Sequence, residues 1–297
     1  MTLRAIVLGA AAGGGFPQWN CRCAGCLLAW AGDPRAPART QASVAVSGNE
    51  SDWILLNASP DLTAQIRATP ALQPKEGTRG SPITAVVLTG AEIDQVSGLL
   101  SLRERQPFVL AGTARVLATL TDNPIFSALD PGVVRREAVS FDQPFALPGG
   151  IEARLFAAPG KVPLYLESAA GAHPDDFTAG VELKKGDRSI VFIPGAASMP
   201  PALKRHAEEA DLVFFDGTLF TDDEMIRAGT GTKTGRRMGH MPIAGEDGSL
   251  AAVTSRGQRV YLHINNTNPI LIQGSKEYEI VREAGWDVAY DGMEFVL

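Results

Sequence analysis

Short apolar runs of about four or five residues recur along the chain, and most have Gly, Pro, Asn or Asp close by. Runs of this kind at residues 43–46, 53–56, 85–88, 108–110, 189–193, 212–215 and 259–262 are rich in β-branched or aromatic side chains and predict buried strands. The first residues, Met1-Thr2-Leu3-Arg4-Ala5-Ile6-Val7-Leu8-Gly9, predict a buried opening strand that enters a glycine turn. Residues 152–156 alternate polar and apolar positions, which predicts a half-buried strand. Helical patterns fall at 61–68, 95–102, 113–121, 201–209 and 276–284, and Ser59-Pro60 predicts a helix entry capped by the serine. Stretches 74–82 and 229–239 read as surface loops. Many strands interleaved with few helices predict two sheets packed as a sandwich with helices outside. No sequence repeat, heptad, low-complexity tract or linker is visible, so one domain is expected over residues 1–297.

Composition narrows the function classes. With 297 residues, 45% of them hydrophobic and 20% charged, the chain can bury a large core. A net charge of −6 without any basic stripe argues against a nucleic-acid partner. No apolar run approaches the roughly 20 residues that span a bilayer, so no membrane insertion is expected. The N-terminus lacks the pattern of a signal peptide, and a cytoplasmic protein is expected.

The three cysteines, Cys21, Cys23 and Cys26, lie within six residues in the segment Gly13-Gly14-Gly15-Phe16-Pro17-Gln18-Trp19-Asn20-Cys21-Arg22-Cys23-Ala24-Gly25-Cys26. An odd count at such spacing argues for thiolate metal ligation over a disulfide framework, with zinc the default ion and a fourth ligand from elsewhere. The competing readings are three buried, unliganded thiols or a catalytic thiol. The triple glycine lacks the Lys-Ser/Thr of a phosphate loop, and no helix-forming run is expected after it. It reads as a tight turn that allows close backbone approach.

Glu92 and Asp94 follow a strongly apolar strand and open a helix. Their position suits either a site at a strand's exit or charge at a helix N-terminus. Asp216 ends an apolar run, where a carboxylate serves as ligand, acid/base or cap. Asp222, Asp223 and Glu224 read as a solvated helix start. His263 follows a strand and His240 sits in a loop, so both are ligand candidates. His206, in a polar helix, and His173, in an acidic loop, read as exposed.

In this order the residues resemble the metallo-β-lactamase superfamily, whose four-layer αββα sandwich carries a metal site along one edge. More closely, the whole chain resembles the family of pyrroloquinoline quinone biosynthesis B proteins. The stretches that carry the likeness are residues 13–26, Asn57-Ala58-Ser59-Pro60-Asp61-Leu62, 93–104, Phe215-Asp216-Gly217-Thr218-Leu219, Gly239-His240-Met241-Pro242-Ile243, 263–271 and Asp291-Gly292-Met293-Glu294. Where the superfamily has Thr-His-x-His-x-Asp-His, this chain has Thr89-Gly90-Ala91-Glu92-Ile93-Asp94-Gln95. Three histidines are thus replaced by Gly90, Glu92 and Gln95, and a dinuclear zinc hydrolase site is not expected.

The resemblance implies a remaining site of Glu92, Asp94, Asp216, His240 and His263, with Glu92, Asp94 and His263 as metal ligands. Such an oxygen-rich set suits Fe(II) or manganese better than a zinc pair. The implied activity is iron- and dioxygen-dependent hydroxylation of the tyrosine-derived part of a cross-linked Glu–Tyr precursor. The alternative is a carrier that binds pyrroloquinoline quinone (PQQ) or its precursor and assists its release to the periplasm. The family often has Asp-His where this chain has Asp94-Gln95, and a neutral amide binds iron weakly. Related folds complete a thiolate site with a histidine three residues after the last site histidine. That position is Asn266 here, so Asn266, His263 or water is the expected fourth ligand. The expected partner is a small molecule, with a homodimer left open.

Overall fold

The computed structural model describes residues 2–168, 177–255 and 257–297. The first half runs β1 (Arg4–Gly9), α1 (Ala24–Trp30), β2 (Ser43–Ser47), β3 (Trp53–Leu56), α2 (Leu62–Ala68), β4 (Ile83–Val87), α3 (Ile93–Val96), β5 (Phe108–Gly112), α4 (Ala114–Asp122) and β6 (Val134–Ala138). The second half begins with β7 (Pro144–Leu147), β8 (Ile151–Ala157), β9 (Ala179–Lys185), β10 (Arg188–Ile193), α5 (Pro201–Glu209), β11 (Leu212–Asp216) and α6 (Glu224–Arg227). It closes with α7 (Ser249–Ala252), β12 (Gln258–Leu262), α8 (Lys276–Glu283), β13 (Asp287–Val288) and β14 (Glu294–Val296).

Two seven-stranded sheets form, in the orders β14-β1-β2-β3-β4-β5-β6 and β13-β12-β11-β10-β9-β8-β7. From β1 to β6 the pairings run antiparallel, antiparallel, then three times parallel. From β8 to β13 the same series returns. The architecture therefore repeats although the sequence shows no repeat. Burial on a pleated sheet needs only apolar character at alternate positions, which unrelated residues supply equally well.

The alternation of each strand sorts its side chains between layers. Val7, Val44, Val46, Ile54 and Leu56 of the first sheet meet Ile190, Phe192, Leu212, Phe214, Val260 and Leu262 of the second in one shared core. Ile6, Leu8, Trp53 and Leu55 point outward to pack beneath α2, the α3 segment and α4. Val191, Ile193, Val213, Phe215 and Tyr261 point outward on the other side, toward α5 and α8. The result is a four-layer αββα sandwich. Burying both faces explains why the central strands read as continuous apolar runs.

Several local expectations need correction. A helix does follow the glycine turn: α1 begins at Ala24, and Cys26 is buried in its first turn. The helix expected over 95–102 is one α-turn, Ile93–Val96, that tightens into a 3₁₀ helix over Ser97–Leu102. Gly98 passes so close to the Ala58 and Ser59 carbonyls that any Cβ there would collide. Ser59 does not cap α2. Its hydroxyl accepts from the Asp61 amide at 3.3 Å and donates to Gln65 at 3.0 Å. Strands β6, β7, β9, β13 and β14 join those expected from the apolar runs.

Candidate metal centre

The parallel register of β10, β11 and β12 brings their C-terminal ends to one edge of the sandwich, with Asp216 opposite Leu262. Asp216 is the last residue of β11, and His263 follows β12 directly. His263 adopts a positive φ of 57°, a left-handed conformation that is uncommon outside glycine and turns the chain sharply after the strand. His240 arrives from the loop after α6, which is held by hydrogen bonds from Met241 N–H to Ala196 O (2.6 Å) and Ile243 N–H to Leu219 O (2.9 Å). Gly195 faces the ring, and a Cβ there would stand 3.3 Å from His240 Cε1. One ligand atom from each of Asp216, His240 and His263 lies within 4.8 Å of the other two.

Asp216 is fully buried and its carboxylate is saturated. Oδ2 accepts from Ala196 N–H (3.0 Å) and faces His240 Nδ1 at 2.8 Å. Oδ1 accepts from Thr218 N–H (3.1 Å) and the Thr218 hydroxyl (2.6 Å). Four partners use all its lone-pair directions, so Asp216 organises its neighbours. Thr218 Oγ1 also lies 3.0 Å from His240 Nδ1, 2.9 Å from His263 Nδ1 and 2.9 Å from the His263 carbonyl. The two imidazoles stack with centroids 5.2 Å apart.

Asp94, in the first turn of α3 after β4 of the first sheet, places Oδ2 3.0 Å from His263 Nε2. Burial raises the Asp94 carboxyl, but the His263 hydrogen bond and charge outweigh it and hold the acid below its ordinary range. Burial likewise lowers His263, and the bond to Asp94 reverses that, so its imidazolium is favoured. Glu92 lines the same cavity, but its carboxylate is ion-paired with Lys161. Gln95 turns its side chain back along the chain. Its Oε1 accepts the Glu92 N–H at 3.1 Å and fills the space beside Gly90, where a Cβ would come within 2.3 Å of it. Above these residues opens a cavity of about 500 Å³, walled by Gly13, Gly14, Ile93, Leu164, Phe177, Met225, Lys233 and Met238 among others.

A second cluster joins the sulfurs of Cys21, Cys23 and Cys26, also within 4.8 Å of one another. The Asn266 side-chain amide sits among them, with Nδ2 at 3.1 Å from Cys21, 3.7 Å from Cys23 and 3.4 Å from Cys26. Burial pushes the Cys23 thiol up to about 12. Burial also raises Cys21, but hydrogen bonds from Cys23, Cys26 and Asn266 prevail and lower it. Both ring nitrogens of His263 are engaged elsewhere, by Asp94 and Thr218, so it does not serve the sulfurs. Asn266 lies three residues from His263, and one short strap therefore contributes to both clusters.

Two residues stand differently from their sequence reading. Glu224 is buried beneath this strap instead of solvated. It accepts from the Phe220 amide (2.7 Å) and the Thr267 hydroxyl (2.6 Å), and burial raises it to about 7. His206 is half-buried, with its ring stacked on Phe156 at 4.0 Å, and burial lowers it. Thr218 and Lys161 carry no strong signal in the sequence, although Thr218 lies in the Asp216-Gly217-Thr218 stretch. His173 lies outside the described residues.

Residues 52–264 match the model of the β-lactamase superfamily domain. The chain is 54% identical to coenzyme PQQ synthesis protein B of Gluconacetobacter diazotrophicus, over 97% of each chain. It is 51% identical to the protein of the same name from Methylorubrum populi, over 98% of this chain and 99% of that one. It superposes with a TM-score of 0.95 on the crystal structure of Zn(2+)-bound PqqB from Methylobacterium extorquens, at 49% identity, covering 98% of this chain and 99% of that one. A diphosphatase of the PhnP family shares the fold at a TM-score of 0.66 and 19% identity, covering 100% of this chain and 98% of that one.

Proposed function

Because this chain belongs to the coenzyme PQQ synthesis protein B family of the β-lactamase superfamily, we propose that it acts in PQQ biosynthesis by hydroxylating a tyrosine-derived ring. The observation that carries this reading is the donor set on the cavity floor. His240, His263 and Asp94 line one cavity, with Asp94 3.0 Å from His263, and offer two imidazoles and a carboxylate, close to the facial pattern of non-haem iron oxygenases. Ferrous iron held by these three would supply the dioxygen activation that ring hydroxylation requires. Asp216 and Thr218 orient the imidazoles from behind. The apolar wall of Ile93, Leu164, Phe177, Met225 and Met238 suits an aromatic ring, and Lys161 and Lys233 suit its carboxylates.

Hydrolysis is disfavoured on the same geometry. Gly90 contributes no ligand, Gln95 caps backbone, and Glu92 is neutralised by Lys161. The cysteine cluster is the structural partner. Zinc fits three converging sulfurs, and half a turn of the Asn266 amide would present its oxygen as the fourth donor. The Zn(2+)-bound relative supports zinc binding. Cytoplasmic residence is part of the same reading and agrees with three free thiols.

The test is anaerobic loading with ferrous iron, then exposure to air with a cross-linked Glu–Tyr substrate. Appearance of a product carrying added oxygen supports the enzyme. An iron-loaded protein that leaves the substrate unchanged would sink it.

A carrier is the second reading, favoured by the spent positions Glu92 and Gln95. Calorimetry with PQQ separates the two: saturable binding without turnover supports a carrier, and no binding removes it.

A further inference from the structure

We propose that Lys161 and Lys233 bind two carboxylates of one aromatic ligand, and that Glu92 and Glu167 hold these lysines until it arrives, so that ligand entry is an exchange of ion pairs. The inference rests on the reading of the cavity as the place where a PQQ-like molecule binds, and it names the side chains that select that molecule.

The cavity wall offers two kinds of surface. Ile93 and Leu164 line it and are 57% and 60% exposed, so much of their apolar area is uncovered. Lys161 and Lys233 line it too, and among the described lining residues they alone carry a permanent positive charge. The chain as a whole carries −6, so two lysines on one cavity run against its overall balance. An apolar wall with a few placed charges is the usual make-up of a pocket for a small organic ligand. Each lysine presents a point charge suited to a carboxylate.

Both lysines already have a protein carboxylate as partner. Lys161 Nζ is ion-paired with Glu92, and Lys233 Nζ lies 3.3 Å from Glu167 Oε1. The side chains are 29% and 26% exposed in the first pair and 41% and 42% in the second. Pairs this open to water are weak, worth at most a factor of about five in an equilibrium. A ligand carboxylate whose ring also covers Ile93 and Leu164 can therefore replace either glutamate. The frame around the exchange is held separately. The Tyr165 hydroxyl donates to the Ala91 carbonyl at 2.6 Å and ties the segment of Lys161 and Leu164 to the loop before α3. The Lys161 stem lies against Gly239, where a Cβ would stand 3.2 Å from its Cγ. Only Nζ has to change partner, and the two glutamates compete with the ligand for it.

The experiment is calorimetric titration of the full-length protein, kept anaerobic, with PQQ and with its trimethyl ester. PQQ should bind saturably, and Lys161→Met and Lys233→Met should each weaken it about 10-fold or more, the worth of a hydrogen bond to a charged group. Glu92→Gln and Glu167→Gln should each tighten it about 2- to 5-fold by removing a competitor. The ester should bind weakly and equally to all five proteins. Unchanged PQQ affinity in both lysine variants would overturn the proposal, as would an ester that binds the wild type as tightly as PQQ. If the lysine variants fail to fold, Glu167→Gln decides, because it alters an exposed side chain: weaker or unchanged PQQ binding there overturns the exchange. PQQ affinity that follows the lysines, with no oxygenated product from the iron-loaded protein, removes the hydroxylase reading and leaves the exchange standing. Product formed by Lys161→Met with the KM of the wild type does the reverse.

Discussion

Substituting Asp216 by Asn tests whether that carboxylate is the buried organiser of the centre. The side chain is fully buried and accepts from Ala196 N–H, Thr218 N–H, the Thr218 hydroxyl and His240 Nδ1. Asparagine keeps the shape but offers one accepting oxygen and one donating nitrogen. Turned either way, its NH₂ confronts one backbone amide, Ala196 or Thr218, plus one partner that can reverse its role. Stranding one buried N–H costs about 1–3 kcal/mol, and each charge-assisted bond that becomes neutral costs part of its own about 1.5–3 kcal/mol. The expected destabilisation is about 3–5 kcal/mol. That is a large share of the roughly 5–15 kcal/mol typical of folded proteins, yet compatible with folding. Urea unfolding followed by fluorescence of buried Trp53 and Trp286, at matched metal content, measures it. A loss below about 1 kcal/mol would show that the four hydrogen bonds do not organise the site.

Three further outcomes are expected. Cys26→Ser should lose zinc from metal analysis and lose stability, because a structural thiolate site contributes folding free energy directly; unchanged zinc content would overturn the ligand assignment. Gln95→Ala should cost about 1 kcal/mol through loss of its bond to the Glu92 amide and leave metal content unchanged; a fall in second-site metal would show that the amide is a ligand after all. Glu224, raised from 4.5 to about 7, binds a proton in the folded state that the unfolded chain has already released. Stability therefore falls by about 3 kcal/mol as pH rises from 4.5 to 7 and is flat above, as far as this group contributes. Glu224→Gln should remove that slope, and parallel stability curves for the two proteins would contradict the buried acid.

The fold was legible where burial on both faces leaves an unbroken apolar run, as in β3, β10 and β11. It was not legible at β6 and β7, edge strands with exposed positions that carry little hydrophobic signal. Nor was it at β9, which buries Glu182 beside Lys184 and needs Gly180 to admit the Phe156 ring. The meeting of Asp216 and His263 follows from strand ends, which sequence marks well, whereas His240 comes from a loop held by backbone bonds that no local pattern marks. Lys161 and Thr218 were missed because a lysine before a proline-containing loop and a threonine after Asp-Gly have no period or spacing that marks them. Glu224 misled because two neighbouring aspartates disguise a carboxylate that turns inward.

Metal stoichiometry after anaerobic loading with ferrous iron tests the central claim most directly. The wild type should carry one zinc held by the cysteines and one iron. His263→Ala should keep the zinc and lose the iron. One zinc and no iron in the wild type, or iron retained in His263→Ala, would contradict a metal centre built on His240, His263 and Asp94.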